Sequence, residues 1–233
     1  MKTSGGSDAA KRRAGESAAD AVADGEVVGL GTGSTAAHAI REIGDRIDAG
    51  LDVRGVATSF ASRELALDAG IPLLDLDEVV GPDAPGIDVA VDGADRVAGG
   101  DLIKGGGAAH AREKIVDAAA DRFLVVADPS KLSATLDRPV PVELLPAARS
   151  PVAAAVRELG GDPVLRRAKR KDGPVVTDNG NLVLDCDFGE IEDPERLATA
   201  LSTSPGVVEH GLFVDLADEI HIGTADGIRI ERP

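Results

Sequence analysis

DVAVDGADRVAGGDLIKGGGAAHAREKIV, residues 88–116, is the stretch on which the fold turns. A β-branched apolar run, Val89 to Val91, delivers Asp92 and Asp95 into a glycine-bearing turn. A second apolar pair, Leu102 and Ile103, delivers Lys104 into Gly105, Gly106 and Gly107, and a helix then starts that carries Glu113 about two turns in. Strand ends that stop in glycine-rich loops are where α/β folds hold ligands, because the carboxyl edge of a parallel sheet is an open crevice faced by backbone N–H groups. Two carboxylates, an ammonium and a third carboxylate are expected to converge there.

Upstream, VVGLGTGSTAAHAIREI (27–43) reads as a short buried strand, Val27 to Leu30, then a Gly-Thr-Gly loop, then a helix opened by Ser34 and Thr35. Exposed N–H groups and the positive end of a helix dipole make that loop an anion site, to which the Thr32, Ser34 and Thr35 hydroxyls can add bonds. It lacks the third glycine of a dinucleotide fingerprint and the lysine of a Walker A loop, so a small monophosphate fits best. The plainer alternative is a strand-to-helix turn whose glycines only permit tight packing.

The same alternation runs through the first half of the chain. Residues 1–7 read as a frayed leader and Asp8 to Ala23 as a helix with Lys11 early in it. Val53 to Ala57 is a strand, Thr58-Ser59 a polar turn, Ala61 to Ala69 a helix and Ile71 to Leu74 a strand; beyond the central stretch come helix Ala109 to Ala120 and strand Phe123 to Ala127, which ends in Asp128-Pro-Ser-Lys131. Repeated βα units with apolar strands call for a parallel sheet covered on both faces, a Rossmann-like three-layer domain. The rhythm then changes to strand Pro141 to Leu145, helix Ser150 to Leu159, strand Pro163 to Ala168, a hairpin around Asn179-Gly180, helix Pro194 to Leu201 and strand Val207 to Val214. That order is β-α-β-β-α-β, the ferredoxin-like α+β pattern. Strand material from Glu219 to Ile230 can return to the first sheet. The expected organisation is residues 1–136 with 215–233 as a Rossmann-like catalytic domain and 137–214 as a smaller ferredoxin-like domain.

Composition narrows the function. With 41 acidic against 25 basic residues the net charge is −16, and there is no Trp or Tyr and only four Phe. Such a surface repels nucleic acid and anionic membranes and offers bases almost nothing to stack on. No window reaches the 18 uninterrupted apolar residues of a membrane span and the N-terminus lacks the apolar core of a signal peptide, so a soluble cytoplasmic protein is expected. The acidity also suits a high-salt organism, where screening relieves self-repulsion. The single cysteine, Cys186, sits in a strand-like run and reads as a core residue.

An aldose–ketose interconversion needs a base to move a proton between adjacent carbons, groups to move hydroxyl protons, and a cation or donor for the enediolate oxygen. Glu113 suits the base, Lys104 and the Gly105–Gly107 amides the oxyanion, and Asp92 and Asp95 the sugar hydroxyls. Alternatives stand beside each role: the aspartates could cap a turn or ligate Mg²⁺, and Glu113 could lie on a solvated helix face. Lys104 is the hardest to read as a surface residue. The four His (His38, His110, His210, His221) show no metal-ligand spacing and no paired nucleophile. Other uses of the same loops would be a glucosamine-6-phosphate deaminase or 6-phosphogluconolactonase, a sugar-phosphate sensor, and a CoA-transferase-like enzyme. The first would want a histidine relay, the sensor a DNA-binding appendage and the last a glutamate at a strand end.

GLGTGSTAAHAI, VATSFASRELA, VDGAD, LIKGGGAAHAREKIV, VVADPSKL, PVPVELLP, VVTDNGN and IGTADG, in that order from about Lys11 onward, resemble type A ribose-5-phosphate isomerase. The resemblance implies interconversion of D-ribose 5-phosphate and D-ribulose 5-phosphate in the non-oxidative pentose phosphate pathway, with no metal or organic cofactor, by a homodimer or homotetramer. It implies substrate contacts at Lys11, at Thr32, Gly33, Ser34 and Thr35, at Asp92, Gly93, Ala94 and Asp95, at Lys104, Gly105, Gly106 and Gly107, and at Lys131. Catalysis would fall to Glu113 as general base with Asp92, Asp95 and Lys104, Asp92 being tied to ring opening and hydroxyl proton transfer. Of seven lysines, three fall on matched positions. Two departures stand out: Arg96 replaces the usual Glu after the DGAD motif, and His110-Ala111 replaces the usual Leu-Thr before Arg112-Glu113.

Overall fold

The structure, a computed structural model, describes residues 6–233. The chain runs α1 (Asp8–Ala19), β1 (Val27–Leu30), α2 (Ala36–Asp48), β2 (Arg54–Ala57), α3 (Phe60–Asp68), α4 (Leu76–Val79) and β3 (Ile87–Gly93). It continues through β4 (Arg96–Ala98), β5 (Asp101–Ile103), α5 (His110–Ala119), β6 (Ala120–Ala127), β7 (Val140–Leu144), α6 (Arg149–Glu158) and β8 (Asp162–Leu165). The remaining elements are β9 (Leu182–Asp187), α7 (Pro194–Ser202), β10 (Val207–His210), β11 (Leu212–Phe213), β12 (Glu219–Gly223) and β13 (Ile228–Glu231). Two compact units interleave along the sequence. One holds the described residues through Ala94, with Arg112–Leu132 and Leu216–Pro233; the other holds Asp95–Ala111 and Ser133–Asp215.

The first unit is built on a six-stranded sheet in the order β13-β12-β6-β3-β1-β2. β12, β6, β3, β1 and β2 pair in parallel, and β13 closes one edge antiparallel to β12. Successive side chains of a strand point to opposite faces, and here both faces are covered. Val28, Leu30, Val89, Val91, Leu124 and Val126 pack with Ala14, Ala18, Ile40 and Ile43 of α1 and α2. Val27, Val56 and Ile87 pack on the other side with Val79 of α4 and Val116 of α5. That double burial is why the strands read as continuous apolar runs, and each such aliphatic side chain contributes roughly 1.5–3 kcal/mol. The Rossmann-like architecture expected from the alternating pattern is the one observed. α1 seats on β12 so closely that a Cβ on Gly223 would collide with the Ala10 carbonyl.

The second unit carries β7-α6-β8-β9-α7-β10, its four strands antiparallel in the order β10-β7-β9-β8. This is the ferredoxin-like arrangement, with Val140, Val142, Leu144, Leu184 and Cys186 packed against Val152 and Val156 of α6 and Leu201 of α7. A small sheet, β11-β5-β4, belongs to the same unit.

Several elements differ from expectation. The expected leader falls mostly on residues 1–5, outside the described residues, and Ser7 caps α1, its hydroxyl accepting from the Ala10 amide at 3.1 Å. α1 closes at Ala19 rather than Ala23. Ile71 to Leu74 is not a strand: Pro72 has no N–H to give, and the segment makes only a parallel bridge, Gly55 with Leu73. Around Asn179-Gly180 the turn forms, with Gly180 at φ +83, but its flanks meet only at the Val176–Leu182 bridge. β9 is taken instead by β7 and β8. Glu143 of β7 anchors that turn, one carboxylate oxygen accepting from Thr177, Asn179 and Asn181 at 2.8–3.0 Å. Val207 to Val214 breaks at Gly211 into two strands serving different sheets. A side chain there would press on Pro141 Cδ at 2.7 Å. No described helix is long and apolar enough to cross a membrane.

Candidate active site

In the first unit the carboxyl ends of β2, β1, β3 and β6 lie side by side, and each releases a polar residue: Thr58 and Ser59, Thr32, Asp92, and Asp128 followed by Lys131. Asp92 is fully buried at the end of β3. Its Oδ1 accepts from the Thr32 amide at 2.9 Å and from the Gly93 amide at 2.6 Å, so the carboxylate grips the loop after β1. The close fit comes from Gly31, where a Cβ would stand 2.5 Å from the Asp92 Cα. The Thr32 hydroxyl turns sideways, donating to Ser59 Oγ at 2.7 Å and lying 2.9 Å from Thr58 Oγ1. It braces the loop against the turn after β2 rather than facing outward. Gly33 takes φ +136, and the exposed Ser34 and buried Thr35 lead into α2. Thr35 is the N-cap residue but its side chain makes no cap hydrogen bond.

α5 runs back from this edge to the start of β6, which puts its N-terminus, the positive end of its dipole, at the edge. Because the helix begins at His110, Glu113 lies in its first turn and not two turns in. Glu113 is 3% exposed, which removes the solvated-face alternative. Arg112 beside it donates from Nε to the Ala57 carbonyl at 2.9 Å and so ties that turn to the end of β2. Lys131 is buried on a short 3-10 turn, Pro129–Lys131, whose cap, Asp128, accepts from the Ser130 amide at 2.9 Å. Lys11 is half-buried on α1.

Asp95, Lys104 and the three glycines belong to the second unit. Lys104 is 2% exposed and its ammonium stands 5.2 Å from the Phe213 ring centroid, a cation–π contact. Its amide donates to the Gly211 carbonyl at 2.8 Å. The loop beyond turns through Gly105 at φ +97, which glycine adopts freely, and is strained at Ala108, a non-glycine with φ +63. Asp95 holds it by accepting from the Gly106 amide at 2.6 Å. That N–H is therefore spent inside the protein. His110 packs on Gly105, its Nδ1 2.7 Å from where a Cβ would lie. Arg96 pairs with Asp137 at 2.6 Å.

Of the residues singled out from the sequence, the structure places Thr32, Asp92, Glu113 and Lys131 on one sheet edge of the first unit, Lys11 on α1, and Asp95, Lys104 and Gly105–Gly107 on one loop system of the second. The sequence reading placed Ser59 only in a turn and missed its bond to the Thr32 hydroxyl, for which the Ser59-x-x-Ser62 capping box at the start of α3 was the signal, and it missed Arg166, whose Nη1 reaches the Gly105 carbonyl at 2.8 Å. Nothing in the local pattern around Arg166 marks it, since the contact joins residues far apart in sequence. The remaining histidines have structural partners: His38 with Asp8, His210 with Ser202, His221 with Ser17. Cys186 is buried, and burial first, then the charges of Asp185 and Asp162, push its thiol up to about 12, so it is no nucleophile. Among the described residues no group of three or more His, Cys, Asp and Glu is placed to hold a metal ion.

Burying a carboxylate costs too much for packing alone to explain Asp92 and Glu113 at one strand-end edge. The fold and these groups are those of an α/β enzyme class whose strand-end carboxylates are placed to move protons. Comparison with known proteins gives the particular lineage. A model of the ribose 5-phosphate isomerase A (phosphoriboisomerase A) family matches residues 54–227. The ribose-5-phosphate isomerase A of Halorubrum lacusprofundi is 75% identical over the whole of both chains. That of Haloarcula marismortui is 72% identical over 97% of this chain and 96% of its own. Both are halophilic archaea, as the acidic composition anticipates. The solved ribose 5-phosphate isomerase A of Methanocaldococcus jannaschii superposes with a TM-score of 0.90 at 44% identity, covering 96% of this chain and 98% of its own. A D-ribose-5-phosphate isomerase solved in complex with phospho-erythronic acid gives 0.91 at 41% identity, over 96% and 97%. The chain belongs to the ribose 5-phosphate isomerase A family.

Proposed function

We propose that this chain interconverts D-ribose 5-phosphate and D-ribulose 5-phosphate through an enediolate, as a step of the non-oxidative pentose phosphate pathway. The observation that carries the assignment of roles is Glu113: buried, in the first turn of α5, on the same strand-end edge as Asp92 and the loop after β1. In the open-chain aldose, Glu113 takes the proton from C2 while the C1 carbonyl oxygen becomes an oxyanion. Lys104 and the Gly105 and Gly107 amides stabilise that oxygen. Returning the proton to C1, with proton exchange between the two oxygens, gives the ketose; no electron or atom is gained or lost. Asp92 serves ring opening and hydroxyl proton transfer, and Asp95 holds the glycine loop from within. The phosphate sits at Gly33–Thr35 and the N-terminus of α2, with Lys11 and Lys131 as further cations, and this remote binding energy orients the reacting carbons.

The phospho-erythronic acid in the solved relative is a phosphorylated sugar acid, which supports a sugar phosphate as ligand here. Exposed Phe60 and Leu67 on α3 and Ile228 and Ile230 on β13 support a homodimer or homotetramer, and the acidic surface supports cytoplasmic residence. The deciding experiment incubates purified protein with ribose 5-phosphate in D₂O, at low and at molar salt, with and without EDTA. Ribulose 5-phosphate carrying deuterium at C1 is expected, at equal rates with and without the chelator. No turnover at either salt concentration would refute the assignment, and product free of deuterium would refute a solvent-exchanging base. Light scattering of the same sample reads the assembly.

A further inference from the structure

Arg166, just past β8, lies outside every motif that carries the chemistry, yet its guanidinium reaches the glycine loop. Nη1 donates to the Gly105 carbonyl at 2.8 Å and lies 3.5 Å from that of Gly106. Asp185 of β9 holds the rest of the fork: Nε is 3.0 and 3.2 Å from its two oxygens, and Nη2 bonds the same carboxylate. The Arg166 side chain is 10% exposed. Its stem is fixed by backbone bonds on either side, Arg166 N–H to the Val183 carbonyl and Val175 N–H to the Arg166 carbonyl, both at 2.9 Å. A planar guanidinium held at Nε and Nη2 by one carboxylate presents Nη1 to the glycine loop in a fixed direction.

The peptide it points at has two anchored ends. The Gly105 carbonyl accepts from Arg166 and, at 2.9 Å, from the Ala108 amide, while the N–H of the same peptide unit, on Gly106, goes to Asp95 at 2.6 Å. Ala108 holds a positive φ, which a non-glycine residue keeps only where its surroundings over-determine it, and Gly105 beside it is free to take more than one conformation. A flipped Gly105–Gly106 peptide is the natural relaxation of two adjacent glycines. It would turn a carbonyl dipole to where the amide now points, changing the field of a loop that must favour negative charge. We infer that Arg166, oriented by Asp185, is a positioning residue of the isomerase: it locks the Gly105–Gly106 peptide against flipping, so that Lys104 and its loop meet the developing oxyanion with donors. The inference rests on the reading that this loop stabilises the enediolate.

Four variants test it, each assayed for kcat and KM with ribose 5-phosphate and for melting temperature. Arg166→Ala is expected to remain folded and to lose about 10²-fold in kcat, the scale of a small misplacement of catalytic groups, with KM changed far less. Millimolar guanidinium chloride should restore part of that kcat, and Arg166→Lys should fall between the two because an ammonium replaces only part of the fork. Asp185→Asn, which keeps the shape but frees the guanidinium, should lose about tenfold. Lys104→Met should be inactive. A folded Arg166→Ala with wild-type kcat overturns the inference, as does a loss that merely tracks the unfolded fraction. If Arg166→Ala does not fold, Asp185→Asn decides, and unchanged turnover there overturns it. A fully active Lys104→Met would instead bring down the underlying reading of the loop, whereas an inactive one beside normal Arg166 and Asp185 variants sinks this inference alone.

Discussion

Replacing Gly31 by alanine tests whether the grip of Asp92 on the loop after β1 matters. Gly31 is hydrogen-bonded to Val91 across the β1–β3 pair, its N–H 3.0 Å from that carbonyl. A methyl group there would lie 2.5 Å from the Asp92 Cα, where ordinary contact begins at 3.4 Å. The methyl would also press on the Asp92 carboxylate itself, and because the Cα is backbone no rotamer change relieves the clash, so the two strand ends must part by about 1 Å. Overpacking of this kind costs about 1–3 kcal/mol. For a chain of this size that is a fall in melting temperature of roughly 2–12 °C. The same displacement moves the Asp92 carboxylate off the Thr32 amide and should lower kcat by about 10²-fold. Gly33→Ala is the control: nothing lies within 4 Å of its would-be Cβ, but its φ of +136 disfavours a side chain, so it should strain the anion loop and raise KM more than it lowers kcat. The assays are thermal melting and steady-state turnover of ribose 5-phosphate. A Gly31→Ala enzyme with native melting and full kcat would show that Asp92 is not held for catalysis.

Glu113→Gln should lose about 10²–10⁴-fold in kcat with KM little altered, the signature of a missing general base, and an essentially active variant would refute the role. On the acid side, stability should decline in two stages. Burial first, then the cations Arg122 and Arg232, hold the pKa of His221 below its usual value despite the opposing pull of Glu219. Burial tends to raise that of Glu219, but Arg232, His221 and Arg122 together bring it below the usual carboxylate range. Both folded-state values lie under the unfolded ones, so each stabilising contribution is complete above the unfolded pKa. The His221 part is lost as pH falls below about 6.5 and the Glu219 part as it falls below about 4.5. Urea midpoints measured against pH should therefore drop from near neutrality downward, and His221→Gln should flatten the first stage; an unchanged slope in that variant would contradict the assignment. With a net charge of −16, the melting temperature should rise between low and molar KCl, and a flat response would remove self-repulsion as the cause.

Where one local rule dominates, the sequence could be read closely. Val27 to Leu30 is a strand to the residue, as a four-residue apolar run that stops in a glycine turn is too short for a buried helix. The β-α-β-β-α-β order of the second unit follows from periodicity and turn residues alone. Reading failed where a distant partner decides. Val207 to Val214 splits because Gly211 passes close to Lys104 and Pro141. The Asn179-Gly180 turn is held by Glu143 rather than by its own flanking strands. The candidate residue types could be singled out because charges set among apolar strand ends and glycine-rich loops are unusual. What each charge holds was not: the Thr32 hydroxyl spends itself on Ser59, and Asp95 on the Gly106 amide. Arg166 is the extreme case, its tie to Gly105 visible only once the chain is folded.

The seating of α1 on β12 makes the end of translation a structural event. On the ribosome β6 is complete well before residues 219–223 are made, and until they emerge it offers one unpaired edge, the kind of surface on which nascent chains aggregate. The helix bearing Lys11 has waited longer still for its seat. A premature stop just before Glu219 would therefore strip away more than the last strands: it would also take part of the seat of a helix from the opposite end of the message.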